Sequence, residues 1–223
     1  METVLPRLPA VTWAQKKVSA TQVASMPVGS KQSTKMDLDK IAAGVALILE
    51  GVGEDLTREG LLETPSRVAR MYSELLYGLH QDVGEEVTCT FEEGGEELIL
   101  VRDITFSSIC EHHLVPFVGT AHVGYIPRDG KITGLSKIAR CVELASRRLQ
   151  VQERMTAQIA DALDNKLNPA GVIVVLEAEH LCMSIRGVRK PGSTTVTSAI
   201  RGVFRTDNAT RAEAMALIQG RLA

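Results

Sequence analysis

The sequence predicts an α+β domain, an antiparallel sheet carrying helices on one face. Three observations carry that reading. Segments of helical and strand character arrive in blocks, in the order helices, two strands, two helices, two strands, helix. No internal repeat divides the chain. Its 223 residues suit one large domain or two small ones.

The chain opens on a stretch with no acidic residue from Thr3 to Met36, while Arg7, Lys16, Lys17, Lys31 and Lys35 are basic. Rich in Ser, Thr, Ala and Pro and without a period, residues 1–36 read as a disordered basic tail. An organelle transit segment has the same composition, and both readings stay open. The tail contains no run of about seven apolar residues, so no secretion signal is expected.

Residues 37–223 are expected to form the folded domain, with a helical part over 37–95 and a part of strands and helices over 96–223. Asp37 can cap a helix whose apolar positions Ile41, Val45, Ile48 and Val52 recur every three or four residues. "ETPSRVARMYSELLYGL" starts a second, with Thr64 at the N-cap, Pro65 at the first helical position and a stripe of Val68, Tyr72, Leu75 and Leu79. "EEGGEE" marks a turn. "ELILVRDITFSS" and "GTAHVGYI" read as strands. "GLSKIARCVELASRRLQ" returns to helical spacing, and a further helix covers roughly Glu153 to Leu167. "GVIVVLEAEHLCMSI" and "STTVTSAIRGVF" are β-rich, and "TRAEAMALIQGRL" closes the chain as a helix.

Net charge is −2, which points to neither nucleic acid nor an anionic membrane. No apolar run approaches the roughly 20 residues that span a bilayer. The scattered cysteines Cys89, Cys110, Cys141 and Cys182 are expected as reduced thiols, which places the protein in a cytoplasm.

Reactive side chains crowd into "SSICEHHLVPF". Cys110 and His113 have the spacing at which two ligands at a strand end reach one ion, and the partner is in "EHLCM". There His180 and Cys182 stand two apart on an expected strand, so both face one way. Cys110, His113 and Cys182 make a plausible zinc site. Three ligands leave a position open for water, as catalytic zinc requires, with His112 and His180 free to move protons. Two alternatives remain: a closed structural site using His112 or His180 as fourth ligand, or Cys182 as a buried core thiol. His80 and His122 lack companions and are expected as surface or turn residues.

A second constellation is basic. Ser136, Lys137 and Arg140 open a helix, where an N-terminus with added cations suits an anion. Arg186 and Arg189 follow the His180 segment, and Arg67 and Arg70 sit on the second N-terminal helix. A solvated charged face is the competing reading, preferred for Arg147 and Arg148. No Walker motif is present, so a nucleoside triphosphate would be held by side-chain cations. Glu153, at a helix start, is either a favourable N-terminal charge or a bidentate acceptor for a ligand's N–H groups.

"CEHHLVPFVG", "YIP", "GLSKIAR", "RRLQVQER", "HLCM", "RGV" and "TVTSA" occur in the order found in GTP cyclohydrolase I, and the chain resembles that family over roughly residues 38–218. The resemblance implies the tunnelling fold: a four-stranded antiparallel sheet with two helices packed on it. It implies a homodecamer of two stacked rings with active sites at subunit boundaries. The implied reaction converts GTP and water to 7,8-dihydroneopterin 3'-triphosphate and formate, the entry to folate and pterin synthesis. By the same resemblance Cys110, His113 and Cys182 are zinc ligands, and His112 and His180 transfer protons. Glu153 anchors the guanine edge with Gln152 beside it, and Glu111 supports the motif. Ser136, Lys137, Arg140 and Arg186 hold the triphosphate, while Arg67 and Arg70 add charge. A catalytically silent relative that binds a nucleotide or pterin is the competing reading, and intact Cys110, His112, His113, His180 and Cys182 argue against it.

Overall fold

The computed structural model describes residues 35–88 and 90–220; the expected tail up to Thr34, along with Cys89, lies outside them. Helix α1 spans Leu38–Gly51 and α2 Thr64–Leu75. Asp37 caps α1 as expected, its Oδ1 accepting from the Lys40 amide at 2.9 Å. At α2 the cap falls one residue earlier, on Glu63, because the Thr64 hydroxyl donates back to the Gly60 carbonyl at 3.3 Å. A 3-10 turn at Val83–Glu86 leads to the short strand β1, Thr90–Glu92.

The long strands are β2 (Ile99–Cys110), β3 (Pro116–Ile126), β6 (Gly171–His180) and β7 (Thr194–Gly202). Between them lie β4 (Lys131–Thr133), helix α3 (Leu135–Ser146), β5 (Leu149–Gln150) and helix α4 (Gln152–Leu167). After β6 comes a single helical turn, α5 (Leu181–Ser184); after β7 come α6 (Val203–Thr206) and α7 (Asn208–Ile218). The sheet order is β5-β2-β3-β6-β7, and β1 pairs separately with β4. The four long strands are antiparallel, with Ser108 opposite Phe117, Phe117 opposite His180 and Leu176 opposite Thr197.

Strand alternation sorts the side chains onto two faces. Ala121, Val123, Tyr125, Val172, Val174 and Leu176 pack with Ile138, Val142, Met155, Ile159 and Leu163 of α3 and α4 in one core. Ile173 and Val175 point the other way, into a smaller cluster with Phe204 and Ala214. The expected four strands and two helices are therefore present, and the C-terminal helices additionally cover part of the second face. Gly202 makes the turn between them: its φ is +56°, and a Cβ there would sit 2.1 Å from the Ala170 carbonyl oxygen.

Two sequence expectations give way to long-range pairing. The expected helix over Leu135–Leu149 stops at Ser146, because Leu149 and Gln150 are drawn into parallel pairing with Ile109 and Cys110. His122 is 8 % exposed rather than a surface residue. A bulge between Val101 and Ile104 puts Asp103 at φ 58°, and its amide donates to His122 Nδ1 at 3.3 Å. Among the described residues no helix is long and apolar enough to cross a membrane.

Candidate metal centre and its surroundings

Cys110 ends β2, 4 % exposed, and the following turn reverses the chain through Leu114 at φ 55°. That turn is anchored twice: the Cys110 amide donates to Val115 O at 3.0 Å and the Glu111 amide to Gln150 O at 3.0 Å. It carries His112 and His113 outward, exposed, with their rings edge to face. Glu111 pairs with Arg154, whose guanidinium also donates to Gln150 Oε1 at 3.0 Å and Leu149 O at 2.9 Å. The Arg154 hydrogen bond holds the Glu111 carboxyl below the usual carboxylate range. Glu111 thus ties the turn to the first turn of α4.

His180 ends β6, and the chain then enters α5. Cys182 is consequently on a helical turn, not on the strand expected from the sequence, so strand parity does not bring it to the site. The turn does. The ligand atoms of Cys110, His113 and Cys182 all lie within 4.8 Å of one another. Burial and the adjacent Cys110 thiol push the Cys182 thiol up. A cation held by the two sulfurs would reverse that at Cys182, since a coordinated thiol is deprotonated outright. Two sulfurs and an imidazole are a zinc donor set.

His180 is held more tightly than a free side chain. Its ring stacks on the fully buried Phe117, centroids 4.6 Å apart and planes 1° from parallel. Its Nε2 lies 2.8 Å from Gln152 Oε1. Burial pushes the His180 pKa down, with Glu153 opposing. Gln152 itself is 1 % exposed and donates to Leu176 O at 3.1 Å, Thr195 O at 2.9 Å and Thr197 Oγ1 at 3.1 Å. Expected beside Glu153 as a substrate contact, its amide is spent inside the chain. Glu153 is exposed in the first turn of α4. Arg186 is exposed in the loop after α5, close enough for its charge to act on Cys182.

Other expected site residues stand elsewhere. Ser108 Oγ donates to Ser146 O at 2.7 Å, so the C-terminal end of α3 meets the Cys110 end of the sheet. The other end starts beside Tyr125, whose hydroxyl accepts from the Thr133 amide at 3.0 Å. Ser136 and Lys137 are on that far end, Arg140 is midway along, and a 12-residue helix is about 18 Å long. Arg67 pairs with Glu63 at 3.5 Å, and Arg70 is exposed on the same helix. Sequence reasoning missed Phe117 and Arg154; the aromatic two residues into β3 and the arginine following Glu153 carried no signal without the sheet register.

The family model described as GTP cyclohydrolase I matches residues 41–219. GTP cyclohydrolase 1 of Halalkalibacterium halodurans is 60 % identical over 187 residues, covering 84 % of this chain and 100 % of that one. That of Carboxydothermus hydrogenoformans is 62 % identical over 183 residues, covering 82 % and 95 %. That of Desulforamulus reducens is 61 % identical over 182 residues, covering 82 % and 97 %.

Proposed function

The chain belongs to the GTP cyclohydrolase I family, and we propose that it hydrolyses GTP to 7,8-dihydroneopterin 3'-triphosphate and formate at a zinc centre held by Cys110, His113 and Cys182. The observation that carries this is the convergence of those three donors within 4.8 Å at the sheet end where His180 is locked in place. Zinc, when bound, supplies Lewis acidity that makes water a nucleophile near neutral pH.

The chain's own residues do the rest. Gln152 presents an oxygen to His180, so neutral His180 keeps its proton on Nε2 and its lone pair on Nδ1, ready to accept a proton. Gln152 then acts through His180 instead of touching substrate. Exposed His112, beside the centre, is placed to exchange protons with the opening ring. The Glu153 carboxylate suits a bidentate grip on the N–H edge of guanine. Ser136, Lys137, Arg140 and Arg186 hold the triphosphate, and Arg67 and Arg70 add positive charge.

The placement of Ser136 and Lys137 at the end of α3 away from Ser146, the end that meets the Cys110 end of the sheet, supports a site completed by a second copy, within a homodecamer. Ile48 and Val52 on α1 are 64 % and 71 % exposed, and β7 ends the sheet with Val196 60 % exposed, as surfaces awaiting a partner would be. The reaction belongs to the cytoplasm, at the start of folate and pterin synthesis, with neither nucleic acid nor membrane as partner.

The test incubates zinc-loaded protein with GTP, oxidises mildly, and assays pterin fluorescence and formate together. Both products support the reading. Zinc and GTP bound without either product would make the chain a silent, binding-only relative.

A further inference from the structure

The segment between α5 and β7 is short and strongly basic, with Arg186, Arg189 and Lys190 all exposed. Three of its residues have positive φ: Gly187 at 62°, Arg189 at 50° and Gly192 at 77°. Arginine is strained there, and three like charges in five residues repel, so the loop needs an external hold. Its internal bonds include Arg189 N to Arg186 O at 3.3 Å and Ser193 Oγ to Lys190 O at 2.8 Å, and Lys190 N donates to Met183 O of α5 at 3.0 Å.

The hold comes from β6. Glu179 Oε1 accepts from the Ser184 hydroxyl at 2.6 Å and from the Gly192 amide at 3.0 Å. Those donors bracket the loop, one on the helical turn of Cys182 and the other just before β7. A single carboxylate oxygen thereby clamps both ends of the segment that carries Arg186. The same two donors hold the Glu179 carboxyl below its usual range, the mark of bonds made to the charged form.

We propose that Glu179 is a positioning residue for triphosphate binding: it straps the 185–193 loop closed and so aims Arg186 at the phosphates. This rests on the cyclohydrolase reading above. It also predicts a sign. Coulomb's law alone says that removing a carboxylate near a polyanion tightens anion binding. The strap predicts weaker binding.

Inorganic tripolyphosphate is the probe, titrated by calorimetry into the zinc-loaded full chain, alongside KM and kcat for GTP. Glu179→Ala should raise both the tripolyphosphate Kd and the GTP KM about tenfold, the worth of one charged hydrogen bond. Its kcat should stay within about twofold and its zinc content unchanged, the pattern of lost uniform binding. Glu179→Gln keeps an oxygen acceptor and should stay within about threefold of the native chain. Ser184→Ala removes one clamp without altering charge and should fall between them, which keeps the inference testable if Glu179→Ala fails to fold. Glu177→Ala, a carboxylate lost two residues earlier on the same strand face, is the charge control and should bind no more weakly than native. Unchanged or tighter tripolyphosphate binding by Glu179→Ala overturns the strap. So do equal losses in Glu179→Ala and Glu179→Gln, or a fall in kcat at constant KM. If the native chain binds tripolyphosphate but releases no formate from GTP, the cyclohydrolase reading fails, while the binding series still decides the strap.

Discussion

Gln152 Oε1 and His180 Nε2 are 2.8 Å apart, and only one of the two can be the donor. The Gln152 amide nitrogen faces two backbone carbonyls, Leu176 O and Thr195 O, which only accept. Turning the amide over would press its oxygen against both. Gln152 therefore accepts from His180, and a residue 28 positions away in the chain selects the histidine's tautomer.

Gln152→Ala should lower kcat about a hundredfold with zinc retained, since an imidazole without its partner loses the correct tautomer and aim. It should also cost roughly 1–3 kcal/mol, because the donors to Leu176 O and Thr195 O disappear from a buried place. Steady-state kinetics, metal analysis and thermal unfolding on one preparation separate the two effects.

Much of this was legible in the sequence for a physical reason: local patterns report local structure. Asp37 capped its helix, the alternation in "GTAHVGYI" marked a strand, and "CEHH" with "HLC" named the three side chains whose donor atoms converge within 4.8 Å. What escaped notice depends on partners far along the chain. Ser146 ends α3 because β5 is recruited by Cys110, and His122 is buried because a bulge opposite it supplies a donor. Cys182 sits on a helical turn that a reading of strand alternation does not see. Gln152 looked like a ligand contact beside Glu153, yet successive residues at a helix start face about 100° apart, one inward and one outward.

His112→Ala should keep zinc at the native level while formate release falls by about two to four orders of magnitude. Metal analysis on the purified variant is the check. Loss of zinc would instead make His112 a fourth ligand and the centre a closed, structural one.

A site shared between copies predicts complementation. Cys182→Ala and Lys137→Ala should each be nearly inactive, one lacking a metal donor and the other a phosphate cation. Mixed equally before assembly, roughly a quarter of the sites combine an intact half from each, and activity should recover to about that share. Recovery no greater than the sum of the separate variants would confine each site to one chain.

Cys141 offers a pH signature independent of catalysis. It is fully buried, and burial, helped by Glu86 and Asp82, pushes its thiol up to about 12. A raised folded pKa stabilises below the ordinary thiol value near 9 and loses that stabilisation as pH climbs toward 12. Relative to Cys141→Ala, the native chain should lose about 1.4 kcal/mol per pH unit across that window. Denaturant unfolding at stepped pH measures the difference; parallel curves would refute the buried neutral thiol.

If Cys110, His113 and Cys182 hold the metal on which GTP hydrolysis depends, bound metal and activity must rise and fall together. The direct test strips the protein with a chelator and titrates zinc back while following formate release from GTP. No formate is expected without metal, then a linear rise that saturates at about one zinc per chain, and neither tight zinc binding nor formate in Cys182→Ala. Formate from the stripped protein, or full zinc binding by Cys182→Ala, would contradict it.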